Sequence, residues 1–145
     1  MRAIFVIITL LTLFGCSQNI SKEDLRYLNG YWEIKEVKFP DGAIKEYKVN
    51  PTVDYIELDG LDGLRKKVRP RLNGTYFVSE DSENFTLRKK GDGFEMNYKN
   101  KMSNWTEKLT ALSEDSFTVS NSENIAYTYH RFHSINVKAN GETEK

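Results

Sequence analysis

The stretch GYWEIKEVKF, residues 30–39, sets the pattern from which the fold follows. Trp32 and Ile34 alternate on one face of an extended chain, whereas the next apolar residues, Val37 and Phe39, fall in the opposite phase. A period of two that slips by one position indicates a strand with a β-bulge between the two pairs. Because the next three residues are Pro-Asp-Gly, the stretch predicts a first strand that ends in a tight turn.

Short β-favouring runs continue from this strand to residue 132, separated by turn residues such as Asn73-Gly74. The later runs are 53–58, 64–72, 75–78, 85–89, 94–98, 105–112, 117–120 and 125–132. Runs of this length and spacing predict an antiparallel barrel or sandwich of about eight to ten strands. Ahead of them, Ser21 and Asp24 have the spacing of a capping pair and predict a helical turn through 25–28.

The run 64–72 carries the strongest local charge in the chain. Its two faces hold Leu64, Val68 and Leu72 on one side and Arg65, Lys67, Arg69 and Arg71 on the other. The basic face could contact anionic lipid head groups or glycans, or it could simply be solvated and protect an edge strand. Since Pro70 has no amide donor, we expect this strand to lie at an edge or to be interrupted there.

An apolar run at 3–14 precedes the only cysteine of the chain, Cys16. The run is too short to span a bilayer, which takes roughly 20 residues, and it fits a secretory signal at 1–15. The stretch Leu13-Phe14-Gly15-Cys16 resembles the lipobox of bacterial lipoproteins, with Phe14 bulkier than usual. The resemblance implies cleavage before Cys16 and acylation of that residue, including a fatty acid such as palmitate. The alternative is an inert cysteine behind a plain signal peptide.

Two or more acyl chains anchor a protein stably, so we expect a membrane-bound protein of the cell envelope. Ser17 rather than Asp follows Cys16, which in enteric-type sorting implies the outer membrane; the periplasmic and external faces both stay open. Residues 16–27 are expected to form the lipidated cysteine and a tether, 28–133 the folded domain, and 134–145 a polar tail. The whole chain has 21 basic and 21 acidic residues, so nucleic acid is not an expected partner.

The strand order, the Gly-X-Trp at Gly30-Tyr31-Trp32 and the last run, Tyr127-Thr128-Tyr129-His130-Arg131, resemble the lipocalin family in its broad sense. In particular they are similar to the small lipocalin-like domains of bacterial lipoproteins. The resemblance implies an eight-stranded up-and-down barrel. It also implies that Trp32 sits at the closed end with Arg131 against its ring, where both are structural. The chain is shorter than most lipocalins, and it lacks a second cysteine and a long C-terminal helix.

No constellation for catalysis stands out. His130 and His133 are three positions apart and cannot share a strand face, the carboxylates are scattered, and no glycine-rich loop precedes a helix. We therefore expect neither an enzyme nor a cofactor or metal site.

Binding is the stronger hypothesis, because a barrel of eight strands can hold one small ligand. Aromatic residues make up 12% of the chain, and residues 94, 96 and 98 form an apolar strand face. The residues proposed to line an apolar cup are Tyr55, Phe77, Phe94, Met96, Tyr98 and Trp105. They could equally fill the barrel, and the alternative function is then a protein–protein interaction or accessory module without a ligand.

Overall fold

The computed structural model describes residues 18–134, which form one 3-10 helix and nine strands. The helix is Glu23–Leu28. The strands are β1 (Gly30–Lys38), β2 (Ile44–Glu46), β3 (Val53–Asp59), β4 (Asp62–Pro70), β5 (Tyr76–Lys90), β6 (Gly93–Lys99), β7 (Asn104–Leu112), β8 (Ser116–Ser120) and β9 (Ala126–Arg131). The predicted runs match strands to within a few residues, with an exception in β5 that is described below, and β2 has no counterpart among them.

The strands form a closed antiparallel barrel. Each strand from β3 to β9 pairs with the next one along the chain, and β1 pairs with both β3 and β9. The three-residue β2 pairs only with the far end of β1, beside Glu36–Lys38, so eight strands make the barrel and β2 extends one side of it. The predicted all-β, up-and-down barrel is confirmed.

The bulge predicted in the first strand is present. The register between β1 and β9 shifts between Ile34 and Glu36. This shift brings Val37 opposite Tyr127 after Ile34 has paired with Tyr129, so apolar residues on both sides of the slip face the interior. The slip in the hydrophobic period thus keeps one face of β1 buried along its length.

The β4–β5 hairpin departs from the prediction. The sequence suggested two separate runs, 75–78 and 85–89, whereas the structure has one strand of 15 residues with a register shift opposite Lys66 and Val68. The polar residues 79–81 form the extra segment of that bulge. Between the pairs Lys66–Ser82 and Val68–Val78, β4 advances by two positions and β5 by four. Beyond Val68, β4 has no pairing with β3, and Pro70 therefore lies where its missing amide costs no ladder bond on that side.

The outer part of this hairpin, residues 68–78, folds over the outside of the barrel. The ring of Tyr76 stacks on Tyr31 of β1 with centroids 4.2 Å apart, and Tyr31 in turn contacts Tyr55 of β3. Val53 and Val68, which pair on the same outer face, are only 1% and 2% exposed. A second, small apolar layer therefore lies outside the barrel wall.

The end of the barrel that carries the 3-10 helix is closed. Leu25 and Leu28 of the helix are buried in the core with Ile20. The predicted capping pair forms, since the amide of Asp24 donates to Ser21 Oγ and the amide of Ser21 donates to Asp24 Oδ2. The turns β3–β4, β5–β6 and β7–β8 lie at this closed end, and the turns β4–β5, β6–β7 and β8–β9 lie at the open end.

Residues 18–28 are part of the folded domain, which differs from the tether expected at 16–27. Ile20 is fully buried, its amide donates to the carbonyl of Asp92, and its own carbonyl accepts from Lys89 Nζ. The side-chain amide of Gln18 donates to the carbonyl of Leu112 and accepts from its amide. These bonds hold the segment across the closed end. Cys16, the signal expected at 1–15 and the tail expected at 134–145 lie outside the described residues, apart from residue 134 itself.

Candidate functional site

Trp32 and Arg131 close one end of the barrel. The Arg131 guanidinium lies 4.2 Å from the centroid of the indole ring, and it donates to the carbonyls of Tyr27, Asn29 and Glu114. The indole nitrogen of Trp32 donates to the carbonyl of Leu28. An arginine on an indole contributes about 0.5–2 kcal/mol, and here it also satisfies carbonyls that the helix and turn leave open. This pair is architectural.

Gly30 is required by the same arrangement. Its φ is +121°, a region that side chains other than glycine rarely adopt, and a Cβ built there would lie 2.6 Å from Arg131 Nη1. Both named residues of the Gly-X-Trp motif are therefore needed here. The absence of a side chain at Gly30 makes room for the Arg131 guanidinium, and that guanidinium covers the ring of Trp32.

A charged group lies inside the barrel nearer the open end. Arg65 of β4 is 8% exposed and Asp54 of β3 is 1% exposed, and Arg65 Nη2 donates to Asp54 Oδ2 over 2.6 Å. Arg65 Nη1 donates to Tyr98 Oη over 3.1 Å and to Glu107 Oε2 over 3.3 Å. The guanidinium also lies 5.0 Å from the ring centroid of Tyr129. We call Asp54, Arg65, Tyr98, Glu107 and Tyr129 the arginine cluster.

Lys67 connects the arginine cluster to solvent. Its ammonium pairs with Asp54 Oδ1, and its side chain is 63% exposed. Asp54 thus has one cation inside the barrel and one at the rim. The β4 alternation that places Arg65 inward also places Lys67 on the same side of the strand, so the two cations follow one another from the interior to the open end.

The environment shifts the titration of each group in the arginine cluster. Burial by itself raises the pKa of Asp54, but the charges of Arg65 and Lys67 outweigh it and hold that pKa below its usual value. Burial raises the pKa of Glu107, and Arg65 only partly offsets the effect. Burial also raises the pKa of Tyr129 to about 12. Asp54 is therefore firmly ionised at neutral pH, whereas Glu107 is held closer to its neutral form.

The arginine cluster borders a depression of about 150 Å³ beside the bulge of β5. Asp54, Arg65 and Lys67 form one wall, and Ser79 and Glu83 of β5 form the other. A second depression of about 420 Å³ continues outward along the folded hairpin from Lys67 and Ser79 to Arg69 and Phe77. The two share Lys67, Ser79 and Asp81 and make one path from the barrel interior to the surface.

Arg69 lines the outer part of this path, and Arg71 follows it two positions along the chain. Arg69 and Arg71 are exposed, and the guanidinium of Arg71 lies 5.8 Å from the ring centroid of Phe77, which is itself 54% exposed. Within residues 18–134 neither Arg69 nor Arg71 forms an ion pair. The charged face expected on this strand is thus divided, because Arg65 at its inner end is buried and only the outer cations are solvated.

The structure separates the six residues proposed to line an apolar cup. Phe94, Met96 and Tyr98 are 5%, 0% and 2% exposed and belong to the continuous core. Trp105 pairs with Tyr98 across β6 and β7, stacks on it at 4.9 Å and stays partly exposed. These four residues line or fill the interior.

Tyr55 and Phe77 do not join the other four residues. Tyr55 lies on the outer face against Tyr31, and its hydroxyl donates to Glu57. Phe77 lies on the folded hairpin. The hairpin covers the outer face of β3, where Tyr55 lies, and Phe77 is part of the hairpin itself. Period-two alternation alone does not reveal this arrangement.

Asp54, Arg65 and Glu107 do not stand out as a group in the sequence. The available signal was local: Asp54 interrupts the run Val53–Leu58 at a position whose neighbours are apolar. A carboxylate that shares a strand face with Ile56 and Leu58 needs a cation when that face is buried, and the nearest cationic strand is β4. Pairing of these two strands in register would have brought Asp54 beside Lys67 and close to Arg65, as the structure does.

Neither histidine contributes to this site. His130 and His133 are exposed, His130 on β9 and His133 after its end. Within residues 18–134 no group of three His, Cys, Asp or Glu side chains is arranged to hold a metal ion. The same part of the chain contains no helix long and apolar enough to cross a membrane.

Solved structures similar to this chain include two from Bacteroides and one from lobster. A lipocalin-like protein from Bacteroides uniformis has 13% identity and a TM-score of 0.46, covering 73% of this chain and 99% of that one. An uncharacterized protein from Bacteroides eggerthii has 14% identity and a TM-score of 0.46, covering 72% and 99%. Lobster apocrustacyanin A1 has 10% identity and a TM-score of 0.41, covering 81% and 72%. No protein-family model matches the chain, and no curated protein matches it significantly. The closed antiparallel barrel of eight strands rests on the strand pairing of this chain itself.

Proposed function

We propose that this chain is a lipid-anchored, non-enzymatic binding protein whose open end takes a small amphipathic molecule with an anionic group. The observation that carries the proposal is Arg65, buried inside the barrel beside Asp54 and Glu107. Burying charges costs several kcal/mol of desolvation that a packed apolar interior would avoid. Charged groups with shifted pKa values beside a depression are also typical of functional sites.

The position of the ligand follows from what already fills the barrel. Phe94 and Met96 belong to the core, so the interior near the closed end has its own side chains in place. Space exists at the depression lined by Arg65 and Lys67. An anionic group there would meet the exposed ammonium of Lys67. The stacked rings of Tyr98 and Trp105 line a separate depression, which is joined to this one through the hydrogen bond from Arg65 to Tyr98.

A second candidate is an interaction module that takes no small ligand. The filled interior and the exposed Phe77 between Arg69 and Arg71 favour it, because a solid barrel with an apolar and basic surface patch suits a protein partner. Both candidates share the expected anchor, an acylated Cys16 in the cell envelope and specifically the outer membrane.

Native mass spectrometry of the protein purified from its own host tests the first candidate. We expect a co-purifying small anionic amphiphile on the wild type, and its loss or reduction in Lys67→Gln, which removes an exposed cation without opening the core. Lys45→Gln on β2 is the matched control and should keep the ligand. A fluorescent fatty acid added to apo protein gives a second measurement. Ligand-free protein that purifies with a stable protein partner, and no binding of the fatty acid, would favour the second candidate.

A further inference from the structure

We infer that the closed end of the barrel lies against the membrane that holds Cys16, and that the open end faces away from it. The inference rests on the proposed acylation of Cys16. It concerns a different property, the orientation of the domain on the bilayer, and it names the lipid surface as the partner of the closed end.

The first described residue, Gln18, lies at the closed end. Gln18 exchanges two hydrogen bonds with the backbone of Leu112 at the end of β7. Two positions later, Ile20 is fully buried and bonded through both its amide and its carbonyl. The described residues nearest to Cys16 are therefore held at the closed end, beside the β7–β8 and β5–β6 turns.

The link between Cys16 and Gln18 is short. Cys16 precedes Gln18 by two positions, and an extended chain covers at most about 3.6 Å per residue, so the two Cα atoms are no more than about 7 Å apart. β1 has nine residues, which at ~3.3 Å each is about 30 Å of strand. With the strand tilt of a barrel, its height is roughly 20–25 Å. A link of about 7 Å cannot carry the acyl chains to the opposite end.

The closed end also carries a depression of about 270 Å³ next to Gln18. Apolar Phe94 and Leu109 line it together with the charged residues Lys90, Asp92, Glu95 and Lys108. The depressions beside Arg65, Lys67 and Phe77 share no lining residue with this one. In this orientation the proposed ligand site opens to the aqueous compartment, and ligand exchange takes place with that side and not with the anchoring bilayer.

The orientation can be measured with two matched reporters on full-length, lipidated protein. Glu114 lies in the β7–β8 turn at the closed end and Glu123 in the β8–β9 turn at the open end, and both are exposed. Since Cys16 is the only natural cysteine and its sulfur is acylated in this proposal, Glu114→Cys and Glu123→Cys each carry one labelling site. A nitrobenzoxadiazole dye on each is read in phosphatidylethanolamine–phosphatidylglycerol vesicles that contain doxyl-labelled lipids.

We expect a large loss of fluorescence at position 114 and little loss at position 123. A control with 20 Gly/Ser residues inserted between Ser17 and Gln18 allows an r.m.s. reach of about 25 Å, and it should remove the difference between the two positions. Equal quenching without the insert, or stronger quenching at position 123, would overturn the orientation while leaving the anchor intact. Protein that fails to sediment with the vesicles would instead overturn the proposed anchor, and the orientation with it.

Discussion

The guanidinium of Arg131 lies 4.2 Å above the ring of Trp32 and thereby joins the last strand of the barrel to the first. Trp32 is fully buried and also meets the edge of Phe117 at 4.8 Å. The same arginine donates to three backbone carbonyls. One side chain thus covers the indole and ties the closed end together.

Trp32→Ala should therefore destabilise the domain by about 3–5 kcal/mol, the usual cost of removing a fully buried aromatic side chain. Urea unfolding monitored by circular dichroism measures the change. Trp105→Ala is the matched control: its ring is partly exposed, and its loss should cost clearly less. Equal costs for the two variants would contradict the role of Trp32 as the plug of the closed end.

Gly30→Ala should lower the melting temperature, because the new Cβ would lie 2.6 Å from Arg131 Nη1 at a φ of +121°. Gly42→Ala separates the two causes, since Gly42 also has a positive φ, +89°, but no atom within 4 Å of a built Cβ. Gly30→Ala is expected to be the more damaging of the two. A smaller effect at Gly30 than at Gly42 would argue against crowding by Arg131.

Removing both members of the Asp54–Arg65 pair should cost far less than the two single removals added together. Breaking a buried ion pair typically costs about 3–5 kcal/mol, because the remaining charge stays buried without its partner. We expect this cost for Arg65→Met and for Asp54→Val, and for the double variant a cost well below their sum, with the loss of the Arg65–Glu107 contact remaining. A double-mutant cycle in chemical denaturation gives the coupling; additive costs would show that the two charges do not depend on each other.

Asp54 and Glu107 should affect the pH dependence of stability with opposite signs. The folded pKa of Asp54 is lowered, so its contribution is complete above the unfolded pKa and is lost as pH falls through the folded pKa. The folded pKa of Glu107 is raised, so ionised Glu107 lowers stability above that pKa. Glu107→Gln should therefore stabilise the protein at pH 7, and the gain should shrink as pH falls toward the usual carboxyl range. Thermal melts between pH 3 and 8 measure it, and a gain that stays constant with pH would contradict this account.

Cys16→Ala should release the protein from membranes once cleavage of the signal has been verified, because acyl chains are the only anchor proposed. Fractionation of the host envelope with an immunoblot measures the distribution. Since Cys16 lies before the folded residues, the released domain should keep its melting temperature. A variant that still sediments with membranes would show that something other than the lipid holds it.

Much of the fold could be predicted from local pattern. The turn at Asn73-Gly74, the slip after Ile34 and the alternation of residues 94, 96 and 98 each follow from rules of sequence spacing, and each corresponds to a feature of the barrel. These features depend on neighbours along the chain or on one strand face, which is the information that a single sequence contains.

The candidate site was less predictable because it depends on pairing between strands. Arg65 has the same period as solvated cations farther along its strand, and only the pairing with β3 and the turn of the hairpin place it inside. Val68 lies on the outer face of the barrel, yet it is buried because the hairpin folds back over that face. The polar segment 79–81 resembled a break between strands and is instead a bulge beside the path to the arginine cluster.

Closure of the barrel through β1 and β9 also has a kinetic consequence. The hydrogen bond from Arg131 to the carbonyl of Asn29 joins residues 102 positions apart, so the first strand lacks one neighbour until the last strand has been made. Contacts of such high sequence separation slow folding, and a chain whose final seam is missing exposes two unpaired strand edges. The same property makes truncation anywhere before residue 131 a route to aggregation, because the first strand then keeps an unpaired edge.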